Sequence, residues 1–157
     1  MLKKNINASV IFHIIKLSET WKRNGDAITQ EFGITTQQWF ILLLLAKDPN
    51  ILYFKLNPQE KPLMAKELAE ALNVSRANVT NLLTILIKKK LVVQVGDSFD
   101  KRRKRLSLTS TGIRMVNQIE TVRNEYNKRL FTKFSKQDKE TMIKFIDTCL
   151  MGMYSFK

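Results

Sequence analysis

Residues 63–109 read LMAKELAEALNVSRANVTNLLTILIKKKLVVQVGDSFDKRRKRLSLT, and this stretch decides the fold. Its apolar residues recur at i, i+3, i+4 and i+7 twice, starting at Ala65 and again at Val79, which predicts two amphipathic helices. Two β-rich runs follow, at 91–95 and 105–108, and they can pair as a hairpin around a basic loop. The order helix, turn, helix, hairpin predicts a winged helix-turn-helix.

The second predicted helix, at about residues 75–89, has the surface chemistry of a helix that reads a major groove. Asn73 in the preceding turn tolerates a left-handed backbone, and Ser75 is a natural N-cap. Asparagine can pair with adenine and arginine with guanine, while alanine and threonine methyl groups can touch thymine methyls. The pattern also fits an ordinary helical hairpin with a polar outer face. The residues predicted to contact DNA are Ser75, Arg76, Ala77, Asn78, Thr80, Asn81 and Thr84.

The predicted wing, at about residues 91–109, carries five consecutive cations at positions 101–105. A charge run is most often a solvated face, but its place at a hairpin tip beside a recognition helix favours DNA contact. Arg102 is the best candidate to enter a minor groove, with Lys101 and Arg103 beside it. DNA would repel Asp100, so we expect it to orient a neighbouring arginine through an ion pair.

Composition narrows the class of protein. The 157 residues include 27 Lys and Arg against 14 Asp and Glu, a net charge of +13 that implies a polyanionic partner. One cysteine and one histidine argue against a disulfide framework, a metal site or a Ser-His-Asp triad, so we expect no enzyme and no cofactor. We expect a cytoplasmic protein with no membrane span, because no secretory signal is visible and the longest apolar run, at residues 39–46, is too short.

Long helices are predicted on both sides of the central stretch. The first reaches about Glu31, a second at 37–47 is apolar on most sides, and two more begin near Thr109 or Thr111 and at Ser135. Residues 51–56 are interpreted as extended structure in a connecting loop. The predicted fold is mainly α (α+β).

The flanking helices also suggest how the chain assembles. A DNA-reading domain does not need them, so we expect their apolar faces to meet a second subunit and form a homodimer. The predicted organisation is an N-terminal dimerisation helix at 1–34, a winged helix-turn-helix at 35–112 and C-terminal dimerisation helices at 113–157.

From about Ile34 to Gly112 the chain resembles the MarR family of bacterial transcription regulators. The similarity is strongest in LAEALNVSRANVTNLLTILIKKKLV and in DKRRKRLSLTSTG, which fits the family's D-x-R-x-x-x-x-x-L-T pattern. The resemblance implies a two-fold symmetric dimer whose recognition helices enter successive major grooves of a pseudo-palindrome, with half-sites about 34–36 Å apart. It also implies repression of transcription, and release of DNA by a small, often aromatic, ligand.

This chain departs from the family in the recognition helix, at the residue that follows it, and in the connection at residues 50–62, which is longer than usual. Asn81 stands where the family often has arginine, so the operator cannot be copied from relatives. Lys90 replaces a usual glycine, which costs about 1 kcal/mol if the residue is left-handed.

Aromatic residues and the single cysteine leave alternatives open. Trp21, Trp39 and Phe40 could line a ligand pocket, although aromatics on apolar faces more often belong to the core. Cys149 lies on an apolar stripe, which favours a buried structural cysteine over a redox sensor. Two further classes of protein stay open: a non-specific or architectural nucleic-acid-binding protein, and a membrane-surface or protein-interaction module.

Overall fold

The computed structural model describes residues 3–56, 63–96 and 104–154, which form seven helices and one two-stranded sheet. The chain divides into two compact units, Met1–Thr121 and Val122–Lys157. The mainly helical fold with a two-stranded wing is confirmed. The elements are α1 (Ile6–Glu31), α2 (Thr36–Leu45), α3 (Leu52–Leu56), α4 (Ala65–Leu72), α5 (Arg76–Lys88), β1 (Val92–Gly96), β2 (Lys104–Leu108), α6 (Ser110–Leu130) and α7 (Lys136–Tyr154).

Helix α2 is the centre of the core of the first unit. It begins with a capping box, in which the Thr35 hydroxyl accepts from the Gln38 N–H at 3.2 Å and the Gln38 side chain accepts from the Thr35 N–H at 3.0 Å. Ile41 and Leu42 are fully buried, and α1, α4, α5 and β2 all pack against this helix. The prediction of a buried helix is confirmed. Helix α2 forms the apolar surface against which both helices of the helix-turn-helix pack.

The extended structure predicted at residues 51–56 is wrong, because Leu52–Leu56 forms the short helix α3. The Asp48 side chain accepts from the Asn50 N–H at 2.8 Å, and this turn leads directly into the helix. Tyr53 and Phe54 both pack against the core, and burial, followed by the Glu70 and Glu67 carboxylates, raises the pKa of the Tyr53 phenol. One helical turn satisfies part of its own backbone while it packs two adjacent aromatics, whereas a strand there would need a pairing partner.

Helix α1 begins at Ile6 and is capped by Asn5, whose side chain accepts from the Asn7 and Ala8 N–H groups at 2.9 and 3.2 Å. It ends at Glu31, as predicted, and Gly33 follows with a φ of 69°. The buried residues of α1, Gly25 and Thr29, lie toward its C-terminal end. The apolar side chains of its N-terminal half are exposed: Ile6, Val10, Ile11, Phe12, Ile14, Ile15 and Leu17.

Helix α7, in the second unit, begins after Ser135, as predicted. The Ser135 hydroxyl accepts from the Asp138 N–H at 3.1 Å, and hydrogen bonds from Ser135 lower the pKa of the Asp138 carboxyl. Cys149 is exposed, so the prediction of a buried cysteine is wrong for the single chain. Apolar residues around much of α7 are also exposed in the single chain: Ile143, Phe145, Ile146, Met151 and Met153.

Within the described ranges, no helix has the length and apolar character needed to cross a membrane.

Candidate nucleic-acid interface

The turn between α4 and α5 has the predicted geometry. Asn73 is left-handed, with φ 52° and ψ 47°, and Ser75 caps α5 by accepting from the Asn78 N–H at 3.2 Å. Helices α4 and α5 then pack through Leu68, Ala69 and Val79, all of which are buried. The turn and the packing together fix the orientation of α5 relative to α4.

The outer face of α5 carries most of the residues predicted to read bases. Asn78 is half-buried at the edge of the face, and the others are exposed: Ser75, Arg76, Ala77, Thr80, Asn81 and Thr84. The inner face is a buried apolar row of Val79, Leu82, Leu83 and Leu86. The seven residues predicted to contact DNA therefore lie either at the N-terminal end of α5 or on the side of α5 that does not face the core.

The N-terminal end of α5 adds a cation that the sequence analysis missed. Lys66 of α4 lines a surface depression with Asn73, Ser75 and Arg76. A helix N-terminus and two cations favour a phosphate, although Glu70 also lines the depression and lowers its positive potential. The sequence feature that could have identified Lys66 is its position one helical turn before Glu70, on the polar side of α4.

The C-terminal end of α5 turns sharply into the wing. Lys90 is left-handed with a φ of 57°, as expected if it takes the place of a C-terminal glycine. Its N–H donates to the Ile87 carbonyl at 2.8 Å, and the Leu91 N–H donates to the Leu86 carbonyl at 3.0 Å, which is a Schellman motif. The exposed Lys88, Lys89 and Lys90 form a second basic group that the sequence analysis did not assign to DNA.

A compact junction ties the wing to α5 and α6. The Thr109 hydroxyl donates to the Lys90 carbonyl at 2.7 Å and accepts from the Gly112 N–H at 3.0 Å. Gly112 lies so close to Leu91 that a Cβ at this position would overlap the Leu91 carbonyl oxygen. The end of the recognition helix and the base of the hairpin are therefore held in a fixed relation.

The wing is an antiparallel hairpin in which Val92 pairs with Leu108 and Gly96 with Lys104. The predicted DNA contacts Lys101, Arg102 and Arg103, and the orienting residue Asp100, lie outside the described residues. Lys104 is exposed on β2, and Arg105, the next residue, is half-buried. These two cations belong to the same charge run, and they show that the basic segment continues directly into the paired part of the hairpin.

Two of the three predicted pocket aromatics line one cavity. Trp21 of α1 and Phe40 of α2 border a cavity of about 370 Å³, and Lys22 adds a cation to its wall. The structure places Trp39 in the core instead, where its side chain is 4% exposed and its Nε1 donates to the Glu120 carboxylate at 3.0 Å.

The described part of the chain contains no group of three or more His, Cys, Asp or Glu side chains that could hold a metal ion.

Comparison with known proteins gives consistent results. The sequence model of the MarR family matches residues 32–103. The transcriptional regulator FarR of Neisseria gonorrhoeae is 31% identical over 113 residues, which cover 72% of this chain and 69% of FarR. The regulator AdcR of Streptococcus pyogenes is 27% identical over 150 residues and 92% of each chain. The Staphylococcus aureus MepR–DNA complex has a similar structure, with a TM-score of 0.69 and 28% identity over 92% of this chain and 95% of MepR.

Proposed function

Because the chain belongs to the MarR family of DNA-binding transcriptional regulators, we propose that it is a dimeric repressor that binds a pseudo-palindromic operator in the cytoplasm. The observation that carries this proposal is the exposed polar face of α5, held by the Thr109 junction beside a basic wing. The expectation of a regulator, and not an enzyme, agrees with the relatives, which are named as transcriptional regulators.

The two reading elements do different work in this proposal. The exposed face of α5 contacts base edges in the major groove, which gives sequence preference. The wing residues Lys101, Arg102 and Arg103, with Asp100 to orient them, contact phosphates and the minor groove, which gives affinity and salt dependence. The depression beside Lys66 receives a phosphate at the N-terminus of α5.

A second copy of the chain is the partner that the exposed apolar residues require. On α1, Ile6 is 71% exposed and Phe12 is 69% exposed, and on α7, Met153 is 68% exposed. Apolar residues at this density on two long helices favour burial in an interface. We assign the exposed apolar side chains within residues 1–34 and 113–157 to that interface. Sedimentation equilibrium should give a dimer, and Phe12→Asp should shift the equilibrium toward the monomer.

The cavity at Trp21 and Phe40 is the site that we assign to a small aromatic ligand. Its volume of about 370 Å³ lies in the range of small-molecule pockets, and part of its wall belongs to α1, the helix that we assign to the dimer interface. Lys22 favours a ligand with a carboxylate or phenolate group. Quenching of tryptophan fluorescence during titration with aromatic acids, and loss of that quenching in Trp21→Phe and in Phe40→Ala, would test this assignment.

The experiment that tests the main proposal is selection of DNA from a random pool by the purified protein, followed by sequencing. We expect a preferred site with two-fold sequence symmetry. A non-specific or architectural protein, which the net charge of +13 alone would favour, would enrich no sequence. A membrane-surface module would instead sediment with anionic vesicles and enrich no DNA.

A further inference from the structure

The outward stripe of α5 contains four residues at helical spacing. Ala77, Thr80, Asn81 and Thr84 follow one another at i, i+3, i+4 and i+7, and all four are exposed. They lie opposite the buried apolar row of the same helix, so they are the residues closest to any surface that α5 faces.

The hydroxyl groups of both threonines are already engaged with the helix backbone. The Thr80 hydroxyl donates to the Arg76 carbonyl at 2.9 Å, and the Thr84 hydroxyl donates to the Thr80 carbonyl at 2.8 Å. A hydroxyl has one proton to donate, so neither threonine can donate to a base without breaking this bond. The hydroxyl oxygen can still accept a hydrogen bond, but the methyl group is the part of each side chain that is not engaged with the helix backbone.

We propose that Thr80 and Thr84 recognise thymine in the major groove through their methyl groups, with Ala77 adding a third methyl to the same apolar stripe. Among the four residues, Asn81 alone presents an amide, which suits the N6 and N7 of adenine. The stripe therefore selects half-sites in which thymines surround an adenine read by Asn81. This inference rests on the proposed function, because it takes α5 to be the helix in the major groove.

The C5-methyl group of thymine can be removed chemically without changing base pairing, which isolates this contact. In a duplex selected by the protein, each thymine of the half-site is replaced in turn by deoxyuridine. Loss of one buried methyl contact weakens binding about fourfold, and the same replacement in both half-sites of a dimer weakens it about sixteenfold. We expect this loss at the one or two thymines that face Thr80 and Thr84.

Matched substitutions separate the methyl group from the hydroxyl. Thr84→Val keeps the methyl and removes the hydroxyl, so its ratio of affinities for thymine and deoxyuridine duplexes should equal that of the parent. Thr84→Ser keeps the hydroxyl and removes the methyl, so it should bind about as weakly as the parent binds deoxyuridine DNA. On deoxyuridine DNA, Thr84→Ser should have no further effect. Thr121 of α6 is also exposed and its hydroxyl also donates one turn back, so Thr121→Val and Thr121→Ser are controls that should change nothing.

Three results would overturn the inference. Loss of binding in Thr84→Val with retention in Thr84→Ser would show that the hydroxyl oxygen accepts from a base amino group. Equal binding to thymine and deoxyuridine duplexes, with sequence preference intact, would remove the methyl contacts and leave the proposed function standing. Failure to select any sequence would overturn both together.

Discussion

Gly112→Ala tests the junction that fixes the wing to the recognition helix. The added Cβ would overlap the Leu91 carbonyl oxygen and lie 3.1 Å from the Leu91 carbonyl carbon and 3.3 Å from Leu108 Cδ2. Leu91 is 1% exposed, so it has little room to move. Because Gly112 is not left-handed, alanine brings no backbone strain of its own, and the overlap is the main effect.

The free energy of unfolding follows from three contributions. Overpacking of a close contact costs about 1–3 kcal/mol. Displacement of Leu91 also weakens the hydrogen bonds of Thr109 to Lys90 and Gly112, at about 0.5–1.5 kcal/mol each. The gain in helix propensity from glycine to alanine offsets up to about 1 kcal/mol. We therefore expect a loss of about 1–6 kcal/mol, measured by urea unfolding at one protein concentration.

Gly152→Ala on α7 is the matched control, because a Cβ there meets nothing within 4 Å in the single chain. Because α7 belongs to the proposed interface, sedimentation equilibrium must first show that this variant is as dimeric as the parent. It should leave the free energy of unfolding unchanged or raise it by up to about 1 kcal/mol. DNA affinity, measured by fluorescence anisotropy on protein that circular dichroism shows to be folded, should fall for Gly112→Ala and not for Gly152→Ala. A Gly112→Ala protein as stable and as tightly bound as the parent would refute the close junction.

Three further substitutions probe the parts of the interface separately. Ser75→Ala removes the cap of α5 and should lower the free energy of unfolding by about 0.5–2 kcal/mol in urea; an unchanged midpoint would contradict the cap. Asn78→Ala should cost about 1–3 kcal/mol of binding to the selected site and little on scrambled DNA, so equal losses on both would argue against base reading. Arg102→Ala should weaken binding to every duplex and reduce the salt slope by about 1 per wing, whereas the surface control Lys139→Ala should leave that slope unchanged.

Local chemistry explains why the helix-turn-helix could be predicted from the sequence. The apolar period around Val79, the cap at Ser75 and the left-handed positions at Asn73 and Lys90 each depend on residues within one or two helical turns. Such short-range preferences do not depend on distant residues, and all four features are present in the structure.

The features that sequence analysis missed depend on distant parts of the chain or on a second chain. Residues 52–56 are too few to show a helical period, and packing of Tyr53 and Phe54 on the core decides their structure. The sequence left Trp39 open between the core, which it favoured, and a pocket, and the place of its side chain depends on Glu120, 81 residues away. The environment of Cys149 depends on what covers α7, which no pattern within one chain reveals.

The most direct test of sequence-specific regulation is the ratio of two dissociation constants at physiological salt. One is measured on the duplex selected from a random pool, and the other on a scrambled duplex of the same length and composition. Specific recognition by α5 predicts a ratio of about 10³ or more. A ratio near one, with affinity that falls steeply with salt on both duplexes, would show binding through the +13 net charge alone and would contradict the proposed function.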